Sequence, residues 1–362
     1  MLALARFLQG ASAGVVWTIG LAIVIETVGQ ENLGKTMGTV FSFVSVAGLL
    51  SPLLGGSLYA SVGYKGVFGV GIGLVAIDFI LRVLMIEKKV AARYEDSSPS
   101  HAGIDGTTED TEQTPLLPNT STAHKRYRLG KPANCITRAL PILLIFRDPG
   151  LVTAMWIGFM QAFLLGAFDA TIPLVASEQF GFNSLKAGLL FLPLGGADLL
   201  LGPVFGWCVD HYGTRLFSVL GFTLLVPTLA LLRLTTDGSV TDKLDNPRHI
   251  ALYAGLLAAN GVGLAITNSP AIVESGNIVE KYWKANEDVF EQAPYAQLYG
   301  ITNTMFCAGL TVGPLFAGHL REKIGYGNMN AVLAGACALT AIQAAFTMGR
   351  KEVDLEDSGS ED

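Results

Sequence analysis

Charge is scarce in this chain: Asp, Glu, Lys and Arg make up 15% of its 362 residues, against about a quarter in an ordinary soluble domain. That argues against a water-soluble globule. The net charge is -6, so no basic surplus offers a nucleic-acid partner its electrostatic footprint. Cysteine is scarce as well. Cys135, Cys208, Cys307 and Cys337 include no CxxC pair, and three of them fall within or beside apolar runs. A disulfide framework or a zinc site is therefore not expected, and the thiols read as small packing residues. His101, His124, His211, His249 and His319 form no metal-spaced pair. No HExxH, GxSxG or phosphate-loop pattern occurs, so neither an enzyme, nor a metal, nor a cofactor is expected.

What the chain has in abundance is long apolar sequence. Hydrophobic residues make up 51%, and the mean hydropathy is +0.46. Nine runs stand out: Leu2–Ile25, Thr36–Ala60, Lys65–Ile86, Pro149–Ala176, Leu185–Val209, Gly213–Arg233, Ile250–Val273, Gln297–Leu320 and Tyr326–Met348. Each holds about 20 residues or more, enough at ~1.5 Å per residue to cross a ~30 Å hydrocarbon layer. The fold class is an all-α membrane protein of about nine transmembrane helices whose partner is the lipid bilayer. Many of the 42 glycines lie inside these runs, as membrane helices that approach one another closely require. Arg6 interrupts the first run, and apolar sequence continues past Ala11-Ser12-Ala13 to Ile25, which argues against a cleaved signal peptide.

The runs divide three and six around a polar stretch. The expected organisation is a three-helix part over 1–86, a disordered cytosolic linker over 87–147, a six-helix half over 148–349 and an acidic cytosolic tail over 350–362. The linker is rich in Ser, Thr, Pro and charge, a composition that cannot build a core. With linker and C-terminus in the cytosol, about 15 basic residues lie on that side and about 7 on the other, as the positive-inside bias demands. Within the linker Glu112, Leu116 and Leu117 form an acidic dileucine pattern, a candidate sorting signal for adaptors. Asn119-Thr120-Ser121 matches a glycosylation sequon but faces the cytosol in this topology, so it is expected to stay unmodified.

Three motifs resemble those of one family. Arg6-Phe7-Leu8-Gln9-Gly10 resembles the R-x-x-Q-G motif in the fourth helix of the major facilitator superfamily. Gly38, Ala47, Ser51, Pro52, Gly55 and Gly56 resemble its fifth-helix antiporter motif, with Ala and Ser at two Gly positions. Gly206, Asp210, Gly213 and Arg215 resemble its G-x-x-x-D-x-x-G-x-R loop between helices eight and nine. Gly309, Gly313 and Pro314 echo a Gly-Pro motif of helix eleven. The resemblance is closest to the drug/proton antiporter branch that includes vesicular amine transporters and fungal relatives. It implies a helical bundle in which the nine runs are family helices four to twelve, with helices one to three missing.

Ionisable groups inside membrane spans cost about 2.5–3.5 kcal/mol on insertion scales and are functional candidates by default. Asp169 lies well inside the fourth run. The resemblance implies a proton or substrate site there, with Gln161 eight residues earlier on nearly the same face. Arg6 and Gln9 begin the fourth-helix motif, which is linked to proton coupling. Asn260 and Asn268 lie eight apart in the seventh run, and Asn303 occupies a place where amine carriers have an acid. The loop around Asp210 and Arg215 implies a charge lock at helix ends, weakened where His211 and Thr214 replace basic residues. Pro52, Gly55 and Gly56 imply close approach and a bend. Asp78 and Arg82 are spaced to pair along one helix. The resemblance implies a secondary carrier for a small organic compound, coupled to protons, in the plasma membrane or a vacuolar or endosomal one. The alternative is a truncated or degenerate membrane protein that transports nothing.

Overall fold

The computed structural model describes residues 2–29, 32–84, 127–129, 140–182, 184–235, 247–286, 290 and 293–349. Among these residues all regular structure is helical. The helices are α1 (Leu2–Val28), α2 (Leu33–Leu84), α3 (Pro149–Phe180), α4 (Ser184–Leu189), α5 (Phe191–Tyr212), α6 (Thr214–Leu232), α7 (Pro247–Thr267), α8 (Pro270–Ala285) and α9 (Tyr295–Thr347). Short 3₁₀ turns cover Pro141–Arg147 and Arg233–Thr235.

Two helices exceed any single membrane crossing, and each is interrupted by one glycine with positive φ. Gly63 in α2 has φ 73° and Gly325 in α9 has φ 81°. Only glycine takes that conformation without steric cost. Cutting there leaves nine apolar segments among the described residues: α1, two from α2, α3, α5, α6, α7 with α8, and two from α9. They follow the nine runs of the sequence. The chain is an all-α membrane bundle. Its lipid-facing character shows in large apolar side chains turned outward, among them Phe7 (71% exposed) and Leu315 (71%). A water-soluble protein does not leave so much contiguous apolar surface uncovered.

The chain packs as two compact units, Ser51–Thr120 and the remainder. In the former, Asp78 and Arg82 pair at 2.8 Å with both side chains exposed, so the pair contributes little to stability. The linker's sorting motif (Glu112, Leu116, Leu117), the sequon at Asn119, Cys135 and the tail 350–362 lie outside the described residues.

In the larger unit α3 is the central helix, buried along most of its length. Asp148 caps it by accepting a hydrogen bond from Gly150 N at 2.8 Å, Pro149 opens it, and Gly181 ends it at φ 59°. These are the expected start and stop signals of a helix. α3 lies against α9 through small residues. A Cβ at Gly309 would lie 2.9 Å from Ala162 Cβ, and one at Gly166 would lie 2.7 Å from Pro314 Cδ. Trp156 Nε1 donates to Thr340 Oγ1 at 3.1 Å across the same interface. Near the Gly325 turn, Arg321 pairs with Glu178 at 2.7 Å.

One piece of the linker is docked. Asn286, at the end of α8, is 1% exposed. Its Oδ1 accepts from Leu129 N at 2.7 Å, and its Nδ2 donates to Tyr127 O at 2.7 Å. The Tyr127 ring meets Tyr282 edge-on at 5.1 Å, and Leu129 packs on an adjoining apolar cluster. A single amide thus holds Tyr127–Leu129 as a neighbouring strand would. Asn286→Ala removes both bonds, worth about 1 kcal/mol each. Trypsin cleavage after Arg128 in the purified protein is then expected to quicken by fivefold or more, because cleavage follows the open population. An unchanged cleavage rate would show that Asn286 does not hold the segment.

Candidate functional site

In lipid, helices gain nothing by burying apolar side chains against each other, so close approach and polar ties decide which helices associate. Between α2 and α5 both are present. Gly34, Gly38 and Ser42 recur every four residues on α2. Asp198, Gly202, Gly206 and Asp210 recur every four on α5. Four residues is slightly more than one helical turn, so each set follows one i±4 ridge that winds slowly round its helix. The two ridges meet antiparallel. A Cβ at Gly34 would lie 2.6 Å from the Gly206 carbonyl oxygen, and one at Gly202 would lie 2.5 Å from Ser42 Oγ. No side chain fits at these points.

A carboxylate stands at each end of this seam. Asp210 accepts from Gly34 N at 2.7 Å and from Lys35 N at 2.8 Å. Those are unpaired amides at the start of α2, where the helix dipole also favours an anion. Asp198 lies about one-third of the way along α5. Its Oδ2 accepts from Ser45 Oγ and its Oδ1 from Asn268 Nδ2. Gln161 Nε2 in turn donates to Asn268 Oδ1. Ser42 Oγ reaches the Asp198 carbonyl at 3.0 Å. Five polar side chains from α2, α3, α5 and the α7–α8 break therefore form one connected layer within an apolar bundle.

The break is what presents Asn268. α7 ends at Thr267 and α8 begins at Pro270. Pro270 has no N–H to continue the ladder, so the chain turns at Asn268-Ser269.

The other candidates are distributed as follows. Asp169 is exposed and has no hydrogen bond or ion pair among the described residues, while Gln161 on the same helix is 3% exposed and joins the layer. The two do not share a face: eight residues turn a helix through about 80° beyond two full turns. Asn260 is likewise turned away from Asn268. It accepts from Thr228 Oγ1 on α6 at 3.0 Å and donates to Leu256 O at 2.8 Å. Arg6 and Gln9 are both exposed and bond to each other at 3.1 Å. Asn303 lies where α1 crosses α9, with Nδ2 3.9 Å from a Cβ at Gly14, and Cys307 Sγ approaches its Oδ1 at 3.8 Å.

In the loop motif, Gly213 has φ 91° and ends α5, a conformation that favours glycine. Gly206 makes the close approach to Gly34. Arg215 has no partner among the described residues. His211 lies on the Trp207 ring at 4.3 Å. Thr214 donates to Glu274, whose other oxygen accepts from Gly349 N at 3.0 Å. At this end Asp210 is bonded to the α2 amides, and His211 and Thr214 serve other contacts. In the antiporter motif, Gly38 makes the close contact. Pro52, Gly55 and Gly56 are helical, a Cβ at Gly55 would meet nothing within 4 Å, and the backbone leaves helical geometry at Gly63 instead.

Sequence reasoning missed Asp198 and Ser45. The available signal was the fourfold spacing that carries Asp210 back through Gly206 and Gly202 to Asp198. A cavity of about 1160 Å³ opens at the Asp210 end of the bundle, lined by charged residues including Arg215, Glu274, Lys281 and Lys284. Neither Asp198 nor Gln161 lines it.

A lipid-facing helical bundle with a connected polar layer inside it is the build of a polytopic membrane carrier. The chain belongs to the Major Facilitator Superfamily, whose family description matches residues 1–277. It is 39% identical to the MFS-type transporter ppzB of Metarhizium rileyi over 96% of this chain and 75% of that protein. It is 34% identical to the uncharacterised MFS-type transporter C18.02 of Schizosaccharomyces pombe, over 95% of this chain and 73% of that one. It is 21% identical to the synaptic vesicular amine transporter of Bos taurus, covering 90% of this chain and 51% of that protein. Membership of this family makes it a membrane transporter rather than an enzyme.

The seam gives a direct test. Gly202→Val places side-chain atoms where Ser42 Oγ and the Gly38 carbonyl already lie. The expected loss is about 1–3 kcal/mol, as for other overpacked contacts, read as a lower melting temperature in detergent. Gly196→Val on the same helix, where a Cβ would meet nothing within 4 Å, is expected to leave the melting temperature unchanged. Equal effects of the two variants would contradict the seam.

Proposed function

We propose that the protein is a secondary carrier that exports or sequesters a small organic compound against protons by alternating access. In this reading the linker and both the Asp210 end and the C-terminus face the cytosol. The observation that carries the proposal is the contact between α2 and α5. It consists of backbone held to backbone across glycines, closed at one end by a carboxylate on two main-chain amides. Such a contact has no interlocked side chains to unpack, so it can part and re-form as two halves rock about a central site. Similarity to MFS-type transporters supports a working carrier over a degenerate one.

Asp169 is the central carboxylate of this scheme. It is exposed on a helix buried along most of its length and free of partners among the described residues, so it is available to a proton or a cationic substrate. Arg6, Gln9 and Asn303 belong to the same α1–α9 side of the bundle and supply further polar groups. Asn260, satisfied by α6, serves packing.

The test reconstitutes the full chain in vesicles with an imposed pH gradient and uses ethidium as the organic cation. Asp169→Asn keeps shape and hydrogen-bonding capacity but carries no charge. It is expected to abolish uphill accumulation while leaving gradient-free exchange in place. Normal uphill accumulation by this variant, at matched expression, would remove Asp169 from the coupling role. No gradient-driven flux in the unaltered chain would count against the carrier reading for cations of this kind.

The dileucine pattern at Glu112, Leu116 and Leu117 favours a vacuolar or endosomal membrane over the plasma membrane, through sorting adaptors. Replacing Leu116 and Leu117 by Ala is expected to shift the protein to the cell surface. An unchanged distribution, read by fluorescence microscopy, would discard the signal.

A further inference from the structure

Asp198 has a role that the carrier scheme above does not use. Its carboxylate is about one-third of the way along α5, inside a helix of 22 residues that is otherwise apolar until its last turn. Both of its oxygens are held by neutral donors, the Ser45 hydroxyl and the Asn268 amide. Ser45 belongs to the first half of the chain and Asn268 to the second, so the carboxylate bridges them.

The charged groups on the surrounding elements do not reach it. On α2 the nearest is Lys35, exposed at the helix start. On α3 it is Asp169, which is exposed and has no partner among the described residues. On α5 it is Asp210, three turns away on the α2 amides. Beyond the α7–α8 break it is Glu274, held by Thr214 and Gly349 N. No ion pair is formed by Asp198 among the described residues. A carboxylate in a membrane span without a cation is neutralised most simply by taking a proton.

We propose that Asp198 is a proton-operated tie between the two halves. As a carboxylate it accepts two charge-assisted hydrogen bonds and clamps α2, through Ser45, onto α5 and the α7–α8 break. A proton from the water-filled side adds to one oxygen and forms a neutral carboxyl group. That oxygen turns from acceptor to donor. On Oδ1 it loses the bond from Asn268 Nδ2, which can only donate. On Oδ2 it donates to the Ser45 hydroxyl instead of accepting from it. In either case the bond to Ser45 becomes neutral, about half as strong as before. The seam keeps its backbone contacts, the Ser42 bond to the Asp198 carbonyl and the Asp210 end, and with its charged tie weakened α2 lifts from α5 more readily. Return of the proton to water on the other side restores the clamp. The carrier reading gives this cycle its purpose.

The experiment needs no substrate, so its outcome is separable from that of the carrier reading. Met37 on α2 is fully buried and takes no part in the tie. In the full chain, Met37→Cys is labelled with a small maleimide across a pH series. Its rate is divided by that of the exposed native Cys307 in the same sample, which cancels the reagent's own pH dependence. Peptide mass spectrometry separates the two sites. With Asp198 in place, the ratio is expected to rise by roughly tenfold as pH falls, as expected when charge-assisted bonds are lost. In the Asp198→Asn background it is expected to stay high and flat. In the Ser45→Ala background, which keeps the carboxylate, the ratio is expected to be raised at high pH and to reach its acid value at a higher pH. A protonated-carboxyl C=O band in infrared difference spectra at low pH is expected to vanish in Asp198→Asn. A ratio with the same pH dependence in Asp198→Asn, or a Ser45→Ala profile identical to that of the unaltered tie, would overturn the proposal. Should Asp198→Asn fail to fold, the Ser45→Ala profile decides alone.

Discussion

The close approach of α2 to α5 is the constraint on which the rest of the arrangement depends. Two helices whose backbones touch across Gly34, Gly38, Gly202 and Gly206 have no room for side chains between them. Polar groups on these ridges are brought within reach of the facing helix. That is why Asp210 can satisfy the free amides of α2, and why Asp198 meets Ser45. Move the backbones apart by the width of a methyl group and both carboxylates lose their α2 partners together. The glycines therefore hold the polar chemistry in place, although none of them carries any.

The outline of this arrangement was legible in the sequence, and the phase was not. Nine apolar runs, a long polar stretch after the third and motif glycines at helical spacing led to the helical bundle and its family. Asp210 was found because it belongs to a motif. Asp198 lies twelve residues earlier, between Ala197 and Leu199, and only the repeat of four that links it to Gly202, Gly206 and Asp210 marks it. The pairs Gln161/Asp169 and Asn260/Asn268 failed for a simpler reason. Eight residues were read as one face, yet a helix has turned about 80° past alignment by then. For Asn268 the interruption before Pro270 adds a further rotation that spacing cannot show. Ser45 was invisible because serine in a membrane helix most often returns its hydroxyl to its own backbone, as Ser42 does to Gly38 O at 2.8 Å.

Asp169 and Asp198 sit in opposite situations. Asp169 is exposed with no partner among the described residues, whereas both oxygens of Asp198 are occupied. An unpartnered acid is suited to picking up something that comes and goes. A fully bonded acid is suited to holding neighbouring elements in one arrangement. A carrier needs both functions, and one residue cannot serve them equally, since occupancy by a ligand and occupancy by the protein exclude each other.

The choice of donors around Asp198 follows the same logic. An arginine would satisfy a buried carboxylate more strongly than serine and asparagine do. It would also stay charged under all physiological conditions, so protonating the acid would leave an unpaired cation in the membrane, a state costly enough to prevent the protonation. Neutral donors impose no such penalty. When the acid takes a proton, Ser45 and Asn268 lose bond strength but leave no charge behind. Asn268 can still hold Gln161 through its own oxygen, so the second half keeps its internal connection while its tie to α2 loosens. Protonation thus weakens the Asp198–Ser45 bond, a link that joins α2 to the second half, without leaving a charge in the bundle.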